Sequence, residues 1–409
     1  MKKMQFFSFI LISFLLIFFS CAKKNTNLIA PVANINLALR SGVYTDVVKN
    51  CLPDFEQKYN IKCNILELSE EDLHKNIVND SNNVEGNYDL CMVDSSWMAE
   101  YTESGILTEL SALGYLLDSD IIPATTTICY SKGGLYLAPF YGNVSVLLYN
   151  KLMIQEAGYK ADDIQSFEDI LNICRFQKKR HNLGFLYRGD TENNLVVDFL
   201  PILCSKGAWV VDENNNPTVN NQAFLEAMYF YLDLIKTGKD AKKDDLITAV
   251  SNKSATMGIG WPGWYLQGKN SSMEYMALTG KFRDDRPAYN SNIYGIWTLG
   301  IPQNSKNKKY AIELLKFLMD KEVQKASINY GGVPCRYSCL QDKEILEKYP
   351  HYKVVCQALE NGIYRPVMKE WPQFYTILGN QMRAIINGEK LVREGLDDAQ
   401  TELEILMIK

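Results

Sequence analysis

The sequence predicts an α/β protein of two lobes, each a mainly parallel sheet flanked by helices. Three observations carry this reading. Short apolar strands alternate with amphipathic helices along most of the chain, the pattern of a parallel sheet with helical crossovers. At 409 residues the chain exceeds the size at which one core usually stops growing. The stretch 133–151, GGLYLAPFYGNVSVLLYNK, reads as two strands joined in line through Pro139. A proline cannot donate to a sheet ladder, so a strand crossing it leaves a sheet or sits at an edge. Pro139 is therefore a hinge candidate between the lobes.

In chain order, Lys2 and Lys3 precede an apolar run over 6–19, shorter than a membrane span, and then Ser20 and Cys21. This is the pattern of a signal peptide over 1–20, outside the fold. It resembles a bacterial lipoprotein signal, with Phe18 where such signals usually carry Leu. The resemblance implies a diacylglyceryl anchor on Cys21 and a tether over 21–31. Several acyl chains anchor stably, at about 0.8 kcal/mol per buried methylene. Formal charge is −5, and without residues 1–20 it is 41 basic against 48 acidic side chains, or −7. That balance argues against nucleic acid as a partner and against anionic lipid as the main attraction.

The mature fold opens with a strand over 35–39 and a turn at Arg40, Ser41 and Gly42. A helical pattern over 44–59 contains Pro53, which predicts a kink or a split. A second strand spans 63–68, and Glu70, Glu71 and Asp72 read as the solvated start of a helix over 70–78. The strand 89–93 is uniformly apolar, as a buried parallel strand is, and delivers Asp94, Ser95, Ser96 and Trp97 at its carboxyl end. Ligands bind at such ends in open α/β sheets. After the 135–149 stretch, helices are predicted over 152–157, 166–178, 193–206 and 221–237. A small-residue strand over 255–260 leads to Trp261 and Trp264. A strand over 293–301, a helix over 309–330, a break at Gly331–Gly332 and helices over 372–387 and 391–406 complete the chain.

Nine cysteines follow Cys21, at scattered positions. Cys335 and Cys339 are the one close pair, and the chain has three histidines, His74, His181 and His351. This is no metal-ligand spacing, so buried free thiols and no cofactor are expected. Cys51 with Cys63 is a conceivable disulfide.

Five marks in order resemble the extracellular solute-binding proteins of the large sugar-binding class that includes maltose-binding protein. They are Tyr88-Asp89-Leu90 with Ser104 to Leu110; Pro139 with Leu148-Tyr149-Asn150-Lys151 and Glu156-Ala157-Gly158; Met257 to Trp261; Gly300-Ile301-Pro302 with Asn307 to Ala311; and Gly388 to Ala399. The resemblance spans about 35–405. It implies a two-lobed periplasmic-binding-protein-like type II fold. Lobe one would be 30–139 plus 297–331, and lobe two 140–296 plus 332–409, with hinges at Pro139, Gly295 and Gly332. It further implies a monomeric, non-enzymatic lipoprotein facing the periplasm or cell exterior. Such a protein captures a sugar or oligosaccharide between its lobes and delivers it to the membrane permease of an ABC importer.

Aromatic rings match the C–H faces of sugars, and carboxylates, amides and Arg match the hydroxyls. The candidates are Asp94, Ser96, Trp97, Tyr141, Asn143, Trp261, Trp264, Arg336, Trp371 and Tyr375. The resemblance favours Ser96, Trp97, Trp261 and the stretch 371–375. Each has a plainer reading: a helix cap for Asp94, a surface ion pair for Arg336, core packing for an isolated Trp. Trp209 and Trp297 read as packing. The run Gly263 to Asn270 lacks the Ser or Thr of a phosphate-binding loop, and Ser305 with Lys308 matches only a short acyl-enzyme pattern in a pre-helical loop. The rival readings are an exported carbohydrate-active hydrolase and a binder of a polyamine or glycerophosphodiester.

Overall fold

A computed structural model describes residues 30–280 and 289–408. The segment 1–20 expected to be a signal peptide, and Cys21, lie outside them. The first sheet has the strand order β2-β1-β3-β14-β6. Its members are β1 (Ala33–Arg40), β2 (Ile61–Leu68), β3 (Leu90–Asp94), β6 (Ala138–Tyr141) and β14 (Trp297–Gly300). The short strands β4 (Tyr130–Ser131) and β5 (Gly134–Leu135) form a hairpin beside it. The second sheet has the order β11-β7-β10-β8-β9. It comprises β7 (Val146–Asn150), β8 (Leu183–Tyr187), β9 (Lys239–Asp240), β10 (Ala255–Gly260) and β11 (Met273–Met276). A last pair joins β12 (Thr279–Gly280) to β13 (Tyr289–Asn290). Each five-stranded sheet mixes parallel and antiparallel pairings. β14 runs antiparallel to β3 and β6, and β7 antiparallel to β10 and β11, because these strands carry the chain between lobes.

Pro139 lies inside β6, at the edge of the first sheet, paired with Thr298 on its one neighbour. The edge place removes the need for the missing donor. The passage to the second sheet comes after it, at residues 142–145. There Val144 bridges Tyr294 of the returning chain, Ser145 N–H donates to the Ile293 carbonyl at 2.8 Å, and Gly295 N–H to that of Asn143 at 2.9 Å. A third segment lies beside these two. Ile363 bridges Ile293, its N–H donates to the Asn292 carbonyl, and its carbonyl accepts from Tyr294 N–H, each at 2.9 Å. Gly332 borders this passage, for the carbonyl of the next residue, Val333, accepts from Gly142 N–H at 2.5 Å. Beyond it the chain pairs with residues 120–122, the Cys335 carbonyl accepting from Ile122 N–H at 2.9 Å and Tyr337 N–H donating to the Asp120 carbonyl at 3.1 Å, and it returns to the crossing at Ile363.

The helix α1 (Val43–Tyr59) runs unbroken through Pro53. An interior proline costs about 3 kcal/mol, whereas Val47, Val48, Leu52 and Phe55 are all buried. Each such burial contributes about 1.5–3 kcal/mol, which outweighs the lost hydrogen bond. Helices α2 (Glu70–Asp80), α3 (Met98–Glu103), α4 (Lys151–Glu156), α5 (Phe167–Lys179), α6 (Glu192–Ser205), α7 (Gln222–Ile235), α8 (Lys243–Ser251) and α9 (Tyr265–Gly268) follow. The long helix expected over 309–330 is two, α10 (Lys308–Leu318) and α11 (Lys321–Ser327). Asp320 interrupts them by capping α11, its carboxylate accepting from Glu322 and Val323 N–H. After α12 (Tyr337–Leu340), α13 (Lys343–Lys348) and α14 (Tyr352–Glu360), α15 (Trp371–Ile386) packs on α6 and on α16 (Val392–Ile408). Trp371, Phe374, Leu378 and Met382 of α15 recur at helical spacing and are fully buried in the second core. All nine cysteines in the described residues are free and buried, so Cys51 and Cys63 make no disulfide. Among the described residues no helix is long and apolar enough to cross a membrane.

Candidate functional site: an interlobe cavity

The carboxyl ends of the parallel strands in both sheets point toward one cavity of about 240 Å³. Arg40 follows β1, Asp94 ends β3, Arg188 follows β8 and Trp261 follows β10. Asn143 and Gly295 come from the crossing segments, and Arg365 from the third. The N-terminal turns of α1, α2 and α6 add Tyr44, Glu70 and Asn193.

Asp94 does two jobs at the end of β3. Its Oδ1 accepts from Ser96 N–H at 2.9 Å and from Ser96 Oγ at 2.8 Å, which is the capping role, and it is ion-paired with Arg365. Both members of that pair are buried. Across the cavity Arg188 grips the fully buried Asp198 with its backbone N–H, Nε and a terminal nitrogen, and donates to Asn194 at 2.9 Å. Its guanidinium lies 5.8 Å from the Trp261 ring centre and 5.4 Å from that of Trp264. Charged hydrogen bonds of this kind fix a side chain more firmly than neutral ones.

Glu70 is not a solvated helix start. Its carboxylate lines the cavity and accepts from the Asn193 side-chain amide at 2.9 Å, a contact between the lobes. Burial raises its pKa above the ordinary glutamate value and the neighbouring Asp94 raises it further, against Arg40, Arg365 and Arg188. The Tyr44 hydroxyl, pushed up to about 12 by burial first, accepts from the Asn143 amide at 3.1 Å. Four buried polar atoms around the cavity have no partner: Asn143 Oδ1, Asn193 Oδ1, Arg40 Nε and Arg365 Nε. A ligand with both donors and acceptors completes such a set.

The charges balance. Arg40, Arg188, Lys243 and Arg365 line the cavity against Glu70, Asp94 and Asp190, and Asp198 behind Arg188 makes four against four. Among the described residues no cluster of His, Cys, Asp and Glu suits a metal ion.

Of the sequence candidates, Asp94, Asn143, Trp261 and Trp264 line the cavity. The rest lie elsewhere. Ser96 serves Asp94. Trp97 is buried against Trp297, His74 and Tyr101. The Tyr141 hydroxyl donates to the Gly331 carbonyl at 2.7 Å. Arg336 is a buried structural cation holding Asp118 at 2.8 Å and Asp120 at 3.3 Å. Trp371 is fully buried in the second core. Tyr375 stands edge-on to Trp371, its phenol pushed up by burial and by Glu70. Trp297, read as packing, is buried yet also lines the cavity. Arg40, Tyr44, Glu70, Arg188, Asn193 and Arg365 were not singled out by the sequence. Arg188 had a usable signal: LGFLY over 183–187 is a strand, and the residue after it holds the same place as Asp94.

The model for bacterial extracellular solute-binding proteins matches residues 41–325. A mannitol-binding protein of Pseudomonas aeruginosa is 23% identical over 413 aligned positions, covering 93% of this chain and 92% of the relative. A probable amino-acid ABC transporter periplasmic-binding protein of Sinorhizobium fredii is 19% identical over 66% of this chain. That match spans 63% of the relative's length, under two thirds. Among solved structures, maltose-bound MalE3 of T. maritima superposes with a TM-score of 0.79 at 22% identity, covering 91% of this chain and all of that one. This last likeness establishes the two-lobed fold.

Proposed function

The chain belongs to the bacterial extracellular solute-binding proteins, and on that premise we propose that it is the capture component of an ABC importer and binds a neutral carbohydrate or sugar alcohol between its lobes. The observation that carries the reading is the charge-balanced cavity with unpaired donors and acceptors beside an indole. Hydroxyls donate and accept at once, so they suit a wall holding both guanidinium and carboxylate groups. A polyamine would face four cations at close range, and a phosphodiester three carboxylates. Either would leave like charges together in a confined site. The mannitol-binding relative and the maltose-bound structure agree with this ligand class; the relative named for an amino acid does not.

The proposed contacts are Trp261 with its ring face, Asp94, Glu70 and Arg365 with hydroxyls from one lobe and the crossing, and Asn193 and Asn143 with the remainder. Ligand touching both lobes stabilises the closed arrangement over the open one, and the permease reads that arrangement. Export, a lipid anchor on Cys21 and a monomeric state complete the reading. Two carboxylates in one cavity are what a glycosidase needs, but Asp94 is already engaged by Arg365 and Ser96, so it is poorly placed as nucleophile or acid.

A thermal-shift screen of neutral sugars and polyols against spermidine and glycerophosphocholine tests this. A ligand at 100 times its dissociation constant stabilises by about 2.7 kcal/mol. A shift with spermidine or glycerophosphocholine alone, or cleavage of an oligosaccharide by the purified chain, sinks the proposal.

A further inference from the structure

We infer that the cavity accepts one sugar-sized unit, a monosaccharide or a sugar alcohol, and rejects oligosaccharides; this rests on the carbohydrate reading above. The volume, about 240 Å³, lies below the roughly 300–1,000 Å³ of pockets for drug-sized ligands. A single pyranose or an open-chain polyol is smaller than such ligands, and a trisaccharide is not.

Two interlobe contacts, one between lining residues and one behind the cavity wall, tie the lobes together around the cavity. In one, Asn193 of α6 donates to Glu70 of α2 at 2.9 Å. In the other, the backbone at Gly263, between the cavity residues Trp261 and Trp264, lies against the Tyr141 hydroxyl and Gly331. A Cβ built on Gly263 would stand 2.0 Å from Tyr141 Oη and 3.6 Å from the Gly331 carbonyl. Gly331 in turn abuts Val43 of the cavity wall. A second sugar ring leaving by either place would have to break these contacts.

The aromatic lining tells the same way. Successive sugar rings need successive exposed ring faces. Trp264 and Trp297 are buried. Only Tyr44 from one lobe and Trp261 from the other are partly exposed among the lining aromatics of the described residues. One ring per lobe serves one sugar. Trp261 is further held by the crossing strand, since a Cβ on Gly295 would stand 2.9 Å from its Cη2.

Titration calorimetry on the full chain, with D-glucose, D-mannose, D-xylose, L-arabinose, D-mannitol and D-sorbitol beside maltotriose, mannotriose, xylotriose and arabinotriose, tests the size limit. The expected result is that at least one monomeric sugar or polyol binds, and every trimer binds at least tenfold more weakly than the tightest monomer. A trimer within tenfold of that monomer, or tighter, overturns the size limit and leaves the carbohydrate reading standing. No binding by any sugar or polyol overturns that reading and this inference with it. The double variant Asn193→Ala/Glu70→Ala, which removes one rim contact, is expected to raise the ratio of trimer to monomer affinity at least fivefold. An unchanged ratio, or loss of all sugar binding by a variant that still folds, overturns the rim argument.

Discussion

The side-chain amide of Asn193 and the carboxylate of Glu70, 2.9 Å apart, tie the first turn of α6 to the first turn of α2 across the cleft. The two helices belong to different cores, so this hydrogen bond exists only when the lobes are together. Asn193→Ala should therefore weaken ligand affinity by about 1 kcal/mol, roughly fivefold, through the open–closed balance. Calorimetry with the ligand found by screening decides it: an unchanged dissociation constant rules the latch out.

Trp261 and Trp264 differ in exposure, and their substitutions should separate. Trp261 is partly exposed to the cavity whereas Trp264 is 5% exposed. Trp261→Ala should leave the melting temperature of the unliganded protein nearly unchanged and cost on the order of 1–3 kcal/mol of binding, about 5- to 150-fold. Trp264→Ala should lower the melting temperature itself, because a filled space empties. Equal thermal losses for both would contradict the assignment.

Gly263 faces the Tyr141 hydroxyl so closely that an added methyl must displace it. Gly263→Ala is expected to reduce ligand affinity on the order of tenfold by holding the lobes apart, about 1.4 kcal/mol. Tyr141→Phe in the same chain removes the obstructing oxygen and should recover part of that loss. A double-mutant cycle with no coupling between the two positions would refute the contact as the cause.

His351 lies buried, its ring stacked on Tyr265 at 3.7 Å between centroids, and burial lowers its pKa from 6.5 to about 3. Below pH 6.5 the unfolded chain takes up a proton there that the folded protein refuses, so stability falls with pH from about 6.5 toward 3. The slope is about 1.4 kcal/mol per pH unit at most, and the loss is on the order of 4 kcal/mol across the window. His351→Phe keeps a ring for the stack and should flatten this part of the denaturation profile. A variant whose melting temperature still falls as steeply between pH 6 and 4 would show that other groups set the acid limb.

Much of this protein was legible in its residues. Alternation of strand and helix, the apolar run of β3 and the edge-tolerant Pro139 each express a local rule, so the α/β class and the approximate elements followed from short windows. Asp94 and Trp261 could be found because each stands directly after a recognisable strand. What the sequence could not reveal is which distant residues meet. Glu70 sits in an acidic run that reads as solvent-facing, and only the approach of α6 from 123 residues away turns it inward. Arg336, Trp371 and Trp97 have the side chains of a sugar site, yet Asp118, the second core and Trp297 claim them first. Ile363 joins the passage between the lobes through its β-bridge to Ile293, a contact between distant residues that no local pattern announces. Local propensity is a property of neighbours in sequence, so the elements and the class follow from short windows of residues. The cavity's size, its balanced charge and its closure depend on contacts across hundreds of residues, and these the tertiary structure alone decided.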